Sequence, residues 1–207
     1  MTWIKICGMT NLEDALKAAS LGANSLGFIF APSPRRVEPT LVRAIVQNLP
    51  ASVFKVGVFL NHPLSEVKEI AAYCNLDGLQ LHGEEPLYYC QKFSQQVIKS
   101  IRIRDMESLK DMAKYPNVSI LLDTWSPTQG GGTGTPFPWE IAIKAKEERD
   151  FILSGGLSPA NVGEAIKTVR PMGVDVSSGV EAAPGKKDPL KMAEFIKEVR
   201  QADEHTR

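Results

Sequence analysis

The chain is poor in cysteine, has no net charge and lacks any long apolar run, and each shortage removes a class of protein. Cys7, Cys74 and Cys90 are an odd set of widely spaced thiols in 207 residues, with no Cys-x-x-Cys pair. That spacing argues against a disulfide framework and dithiol redox chemistry, and it reads as a reduced, cytoplasmic protein. Lysine plus arginine equal aspartate plus glutamate at 24 each. A balanced chain offers no broad surface for nucleic acid, although a few local donors can still hold one small anion. No stretch approaches the ~20 apolar residues that span a bilayer, and the N-terminus lacks the basic and apolar segments of a signal peptide. Neither a nucleic acid nor a membrane partner is expected. Three scattered histidines, His62, His82 and His205, make no metal site.

Short apolar runs rich in β-branched residues recur along the chain with helical patterns between them. Strands are predicted at 3–7, 25–30, 54–59, 78–81, 97–101, 119–122, 151–154 and 173–176. Helices are predicted at 12–21, 40–49, 64–74, 86–93, 106–115, 139–147, 159–168 and 189–200, several opened by a proline just inside the start. Strands apolar on both faces that alternate with helices imply a parallel sheet covered by helices. Eight strand–helix units favour a closed (β/α)8 TIM barrel with an outer ring of helices over an open doubly wound sheet. No linker or composition shift divides the chain, so residues 1–207 read as a single barrel domain, with 201–207 as a polar, frayed C-terminal tail. In such a barrel chemistry sits on the segments that follow each strand.

Five of those segments carry reactive or anion-binding residues. Cys7 ends the first strand just before Gly8 and a helix start at Asn11. A thiol there can serve as base or nucleophile, and Lys5, two residues away on the same strand face, is a candidate for lowering its pKa. A Cys–His pairing with His82 lacks an oxyanion-hole signature, so His82 reads as polar lining. Cys74 and Cys90 read as core thiols. Asp123 ends an apolar run where partial burial can raise a carboxyl pKa enough for acid catalysis, with helix capping as the plainer alternative. The glycine-rich segment from Gln129 to Gly134 then reads as a mobile loop over the site. Gly155-Gly156 and Ser178-Gly179 follow strands seven and eight, the usual phosphate position of this fold, although isolated glycine pairs also make simple turns. Arg35 and Arg36 follow strand two, where one guanidinium can point inward and hold a carboxylate or phosphate.

Together these segments resemble the phosphoribosylanthranilate isomerase family. The resemblance rests on Lys5-Ile-Cys-Gly-Met-Thr, Leu26-Gly-Phe-Ile-Phe with Ser33-Pro-Arg-Arg, Val56-Gly-Val-Phe, and Leu79-Gln-Leu-His-Gly-Glu. It continues through Leu121-Leu-Asp-Thr, Gly131-Gly-Thr-Gly, Leu153-Ser-Gly-Gly-Leu, and Val174-Asp-Val-Ser-Ser-Gly-Val-Glu with Gly185-Lys-Lys-Asp188. The pieces keep the family order and cover nearly the whole chain. The resemblance implies an Amadori rearrangement of a phosphorylated aminoaldose in tryptophan biosynthesis, without cofactor or metal, by a monomer or homodimer. It makes Cys7 the general base, Asp123 the general acid and Arg36 the holder of the anthranilate carboxylate. Backbone amides around Gly155, Gly156, Ser178 and Gly179 would hold the phosphate, and Asp175 would support the site in an unassigned role. An extra glycine at 130–132 and Pro138 before Trp139 depart from the family pattern and bear on the loop after Asp123 and the next helix start. The alternatives are a related sugar-phosphate isomerase or synthase barrel, disfavoured by Cys7, and a phosphate-ligand binder without turnover, which needs neither Cys7 nor Asp123.

Overall fold

A computed structural model describes residues 1–124 and 138–205. Its eight main strands close into one parallel barrel in chain order. They are β1 (Trp3–Cys7), β2 (Ser25–Ile29), β3 (Phe54–Phe59), β4 (Gly78–Leu81), β5 (Gln96–Ile103), β6 (Ser119–Thr124), β7 (Ile152–Leu153) and β8 (Gly173–Val176). The helices α1 (Leu12–Leu21), α2 (Pro39–Val46), α3 (Leu64–Tyr73), α4 (Leu87–Cys90), α5 (Trp139–Glu148), α6 (Val162–Val169) and α7 (Pro189–His205) cover the outside, with a 3-10 helix at Met106–Lys114 between β5 and β6. The TIM-barrel expectation holds.

Strand alternation sorts the side chains. On β1, Ile4 and Ile6 are fully buried against the helices, in one cluster with Ala15, Ala18 and Phe195. The alternate residues Lys5 and Cys7 face the lumen instead. The floor of the lumen is apolar, formed by Val56, Ile98, Leu121 and Ile152 with Trp3 and Phe54 against them. Above that floor the lumen turns polar: Lys5, Gln80, Ser100, Asp123, Ser154 and Asp175 are all buried. The site is therefore built on a hydrophobic plug, at the carboxyl ends of the strands.

Several boundaries differ from the sequence pattern for local reasons. β5 runs on to Ile103 because Arg102 and Ile103 still pair with Asp123 and Thr124 of β6. The connector after it is a 3-10 helix, opened by a reciprocal capping box between Asp105 and Ser108. α6 starts at Val162 rather than Pro159, because the Asn161 side chain accepts the Ser158 amide at 2.8 Å and holds a turn there. Loop eight also contains an unexpected hairpin, β9 (Glu181–Ala183) with β10 (Lys186–Lys187).

The frayed tail expected at 201–207 is corrected as far as His205. α7 continues through Gln201–His205 because Ala202 and Asp203 are buried. Asp203 accepts the Thr2 amide at 2.9 and 3.1 Å and the Thr2 hydroxyl at 2.6 Å. This carboxylate pins the last helix beneath the first strand, at the end of the barrel opposite the site. An Asp203→Ala substitution should destabilise the fold by about 2 kcal/mol through orphaned buried donors, lowering Tm by about 4–8 °C. Turnover at 25 °C should be unchanged, and a Tm within about 1 °C of the parent would show that the helix end is held by other contacts.

Candidate active site

A cavity of about 520 Å³ opens at the carboxyl ends of the strands. Cys7, Gln80, His82, Asp123, Ser154 and Asp175 line it, together with Gly155, Gly156 and Ser178. The barrel thus brings residues from β1, β4, β6, β7 and β8, more than 100 positions apart at the extremes, into one chamber.

Cys7 is buried, and Gly27 on β2 makes room for it. A Cβ at Gly27 would lie 2.6 Å from the Cys7 sulfur. Beneath the thiol the Lys5 ammonium donates to Asp175 Oδ1 at 2.8 Å. Ser154 donates its hydroxyl to the other carboxylate oxygen at 3.2 Å. Burial depresses Lys5, but the Asp175 and Cys7 charges and their hydrogen bonds outweigh it and raise the ammonium above its ordinary pKa. Burial pushes the Cys7 thiol up; Lys5 and Lys187 pull it down, and Asp175 pushes with burial. The balance raises the thiol above its ordinary pKa.

Across the chamber Asp123 meets His82, whose Nε2 lies 3.4 Å from Asp123 Oδ2. Gln80 sits 3.2 Å from His82 Nδ1 and donates its amide to Ser100 at 3.2 Å. His82 thus turns Nδ1 toward Gln80 and Nε2 toward Asp123. Asp123 Oδ1 accepts the Thr124 amide at 2.8 Å. His82, expected only as polar lining, is the immediate neighbour of the candidate acid. Its position is fixed from behind by the buried Lys99–Glu85 pair at 3.0 Å, with Lys99 also donating to the Leu81 and Gly83 carbonyls.

The two glycine-rich loops meet at the rim. Gly155 and Gly156 both take positive φ, 84° and 66°. Gly179 lies so close to loop seven that a Cβ there would fall 1.9 Å from the Leu157 carbonyl oxygen. Gly155, Gly156 and Ser178 line the cavity, and Gly179 packs just behind them.

The arginines divide in an unexpected way. Arg35 lines the cavity, where it makes a bidentate pair with Glu181 at 2.7 Å through both Nε and Nη2. Arg36 does not line the cavity: its guanidinium is exposed and lies 3.3 Å from Glu38. The backbone explains the split, because Arg36 bridges Ile29 and its neighbour Arg35 must then face the opposite way. Sequence reasoning missed Glu181 and Lys187, whose signal was the Gly185-Lys-Lys-Asp188 segment. The glycine-rich loop from Gln129 to Gly134, with the extra glycine at 130–132, lies outside the described residues. Pro138 precedes α5, which starts at Trp139 without a side-chain cap. Among the described residues no group of three or more His, Cys, Asp or Glu could hold a metal ion, and no helix is long and apolar enough to cross a membrane.

Residues 4–198 match the family model for N-(5'-phosphoribosyl)anthranilate (PRA) isomerase. The chain belongs to the phosphoribosylanthranilate isomerase family. It is 49% identical to the N-(5'-phosphoribosyl)anthranilate isomerase of Pelobacter propionicus over 95% of both chains. It is 48% identical to that of Moorella thermoacetica, over 99% of this chain and 92% of the relative. The solved structure of phosphoribosylanthranilate isomerase from Thermotoga maritima superposes with a TM-score of 0.92 at 44% identity, covering 97% of this chain and all of that one. Family membership makes the Cys7 environment the first feature to test. Gly27→Ala should push either the thiol or β2 out of place, at about 1–3 kcal/mol in stability. Thermal unfolding measures the first effect and the alkylation rate of Cys7 the second; a parent-like Tm together with parent-like alkylation would show that the strand absorbs the methyl group.

Proposed function

We propose that this chain isomerises N-(5'-phosphoribosyl)anthranilate to 1-(2-carboxyphenylamino)-1-deoxyribulose 5-phosphate, the aminoaldose-to-aminoketose step of tryptophan biosynthesis, by paired acid and base catalysis. The observation that carries the mechanism is that Cys7 and Asp123 line one chamber from separate strands, above a buried ion pair and beside a glycine-built rim. The reaction is redox-neutral, so a proton donor and a proton acceptor suffice in principle.

Asp123, with His82 beside it, donates a proton to the ribose ring oxygen. The bond from that oxygen to carbon 1 breaks as the anilino nitrogen pushes in its lone pair, which leaves an open-chain iminium. That cation acidifies carbon 2. The Cys7 thiolate takes the carbon 2 proton, the electrons move to form an enolamine, and tautomerisation of the enolamine gives the ketose. Each of the two proton transfers contributes on the order of 10²–10⁴-fold. Lys5 and Asp175 keep a fixed charge pair under the sulfur while the proton moves.

Backbone amides around Gly155, Gly156, Ser178 and Gly179 are assigned to the phosphate, supported by the close approach that only glycine permits at the loop contact. Arg36 is assigned to the anthranilate carboxylate. In this structure its guanidinium lies outside the cavity, so the assignment, which follows the family resemblance, requires the side chain to swing inward; its pair with Glu38 is exposed, and such pairs contribute about 0–1 kcal/mol, so releasing Glu38 costs little. Three free thiols suit a reducing cytoplasm. A solved relative is described as a dimer that yields monomers, which suits either assembly for this chain.

Substrate generated in situ gives the direct assay, because isomerisation removes its anthranilate-type fluorescence. Cys7→Ala and Asp123→Asn should each abolish turnover while binding of a reduced product analogue persists. Near-parental rates in either variant would remove that residue from its role. Arg36→Ala should raise KM by about tenfold or more with a smaller change in kcat, as expected for the loss of a charge-assisted pair. An unchanged KM would assign the carboxylate to another group.

A further inference from the structure

The hairpin of β9 and β10 delivers Glu181 and Lys187 to the site, and neither has a part in the proton transfers. Lys187 is almost fully buried, with its ammonium 3.0 Å from Glu181 Oε1 and 3.1 Å from the Ser177 carbonyl. Glu181 is shared, because the Arg35 guanidinium clamps both of its carboxylate oxygens at 2.7 Å. Buried charges are costly unless paired, so a cluster built for stability alone would balance. Here two cations share one carboxylate. The adjacent Lys5–Asp175 pair is neutral in itself. The five side chains therefore hold one excess positive charge; Asp14, the other buried carboxylate beside them, meets Lys187 at its backbone amide, whereas the ammonium pairs with Glu181. Cys7 lines the same cavity as Arg35 and Asp175, and the Lys5 and Lys187 charges pull its thiol down. A thiolate at Cys7 would cancel the excess; a thiol leaves it standing.

We propose that the Arg35–Glu181–Lys187 cluster is the built-in counter-charge of the Cys7 thiolate, with Lys187 as a positioning residue that favours the ionised base. The proposal deepens the acid–base reading and rests on Cys7 being the base. Lys5 lies beside the thiol on β1 and pairs with Asp175 on β8, and Arg35 lines the same cavity from the segment after β2; Glu181 on β9 and Lys187 on β10 join Arg35 through its paired carboxylate, and Asp14 on α1 accepts the Lys187 amide. Asp123 and His82, on the far wall, form a pair of their own. Lys187 pairs within its own hairpin, with Glu181 of β9. Its reach depends on how the hairpin docks.

That docking is specific. The Thr10 hydroxyl donates to the Gly185 carbonyl, and the Lys187 amide donates to Asp14 Oδ2 at 2.8 Å. Thr10 and Asp14 lie just after β1, so the segment that carries the base also anchors the hairpin that carries the counter-charge. Pro184, at the hairpin turn, lines the cavity. Burial lowers the Lys187 pKa; Glu181 opposes this, and Cys7 adds to the opposition while Arg35 works against it. Burial likewise pushes Glu181 up, but hydrogen bonds from Arg35 and Lys187 and their charges hold it below the ordinary carboxylate range.

The test uses the full chain with Cys74 and Cys90 replaced by serine, so that iodoacetamide reports Cys7 alone. The alkylation rate is followed against pH, with kcat/KM measured over the same range. Lys187→Met should raise the alkylation midpoint by about one pH unit, as expected for losing a nearby opposite charge. Glu181→Gln should lower it by a comparable amount, and Lys187→Arg should restore it to near the parent. Opposite shifts from two contacts of one ion pair are a signature that a purely structural hairpin anchor would not produce. Midpoints that stay within about 0.2 units, or that move in the same direction in both variants, would overturn the proposal. If Lys187→Met does not fold, Arg35→Met tests the same sign by raising the midpoint. Loss of turnover in Cys7→Ala with unmoved midpoints would leave the base in place and remove the counter-charge. Persisting turnover in Cys7→Ala would overturn both the base and the catalytic part of this proposal, whatever the midpoints do.

Discussion

The fixed point of this structure is the buried ion pair between Lys5 and Asp175. It joins the first strand to the last, since the two residues stand opposite one another in the β1–β8 register. A lysine with no exposed surface inside a barrel is a poor route to stability, because desolvation offsets most of the attraction. Apolar side chains of similar volume would serve the barrel better. What an apolar pair cannot do is maintain a charge beside the Cys7 sulfur. The pair is tolerated because it closes the barrel seam and builds the site with the same two residues; losing one partner alone would leave an uncompensated buried charge, at about 3–5 kcal/mol.

Around that pair the molecule separates its tasks by height. The apolar floor of Val56, Ile98, Leu121 and Ile152 excludes water from below. Beneath it, the Asp203 contact with Thr2 ties the chain ends together. Above it the lumen holds polar side chains from alternate strand positions, and every one that matters is fixed by a second group. Ser154 braces Asp175, Gln80 sits against His82, and Lys99 holds the loop behind it. Such bracing is what keeps an acid and a base on opposite walls of one chamber without collapse onto each other.

Much of this was legible in the chain because the signals are local. Each strand is a short β-branched run, each strand end carries its own chemistry, and Asn11 caps α1 through a hydrogen bond to Asp14 three residues on. Cys7, Asp123 and the glycine pairs could be singled out on position alone. The 3-10 helix after β5 was not legible, since the same apolar spacing suits an α-helix and only packing between β5 and β6 decides. The polar composition of 201–205 concealed a buried helix end, because Asp203 finds its partner at Thr2, on the far side of the chain.

The sequence by itself determined the barrel, the order of its parts and the residue types at the mouth, since periodicity and strand-end position are properties of neighbours along the chain. Tertiary structure alone decided which of two adjacent arginines turns inward, that His82 stands beside Asp123, and that Lys187 reaches the surroundings of Cys7. The arginine split follows from the bridge between Arg36 and Ile29, and the other two outcomes depend on contacts across 40 to 180 positions, where the closing of the sheet and the docking of a hairpin, not local propensity, set the distances. The cysteine was visible from the start; the charges that surround it appear only once the barrel is closed.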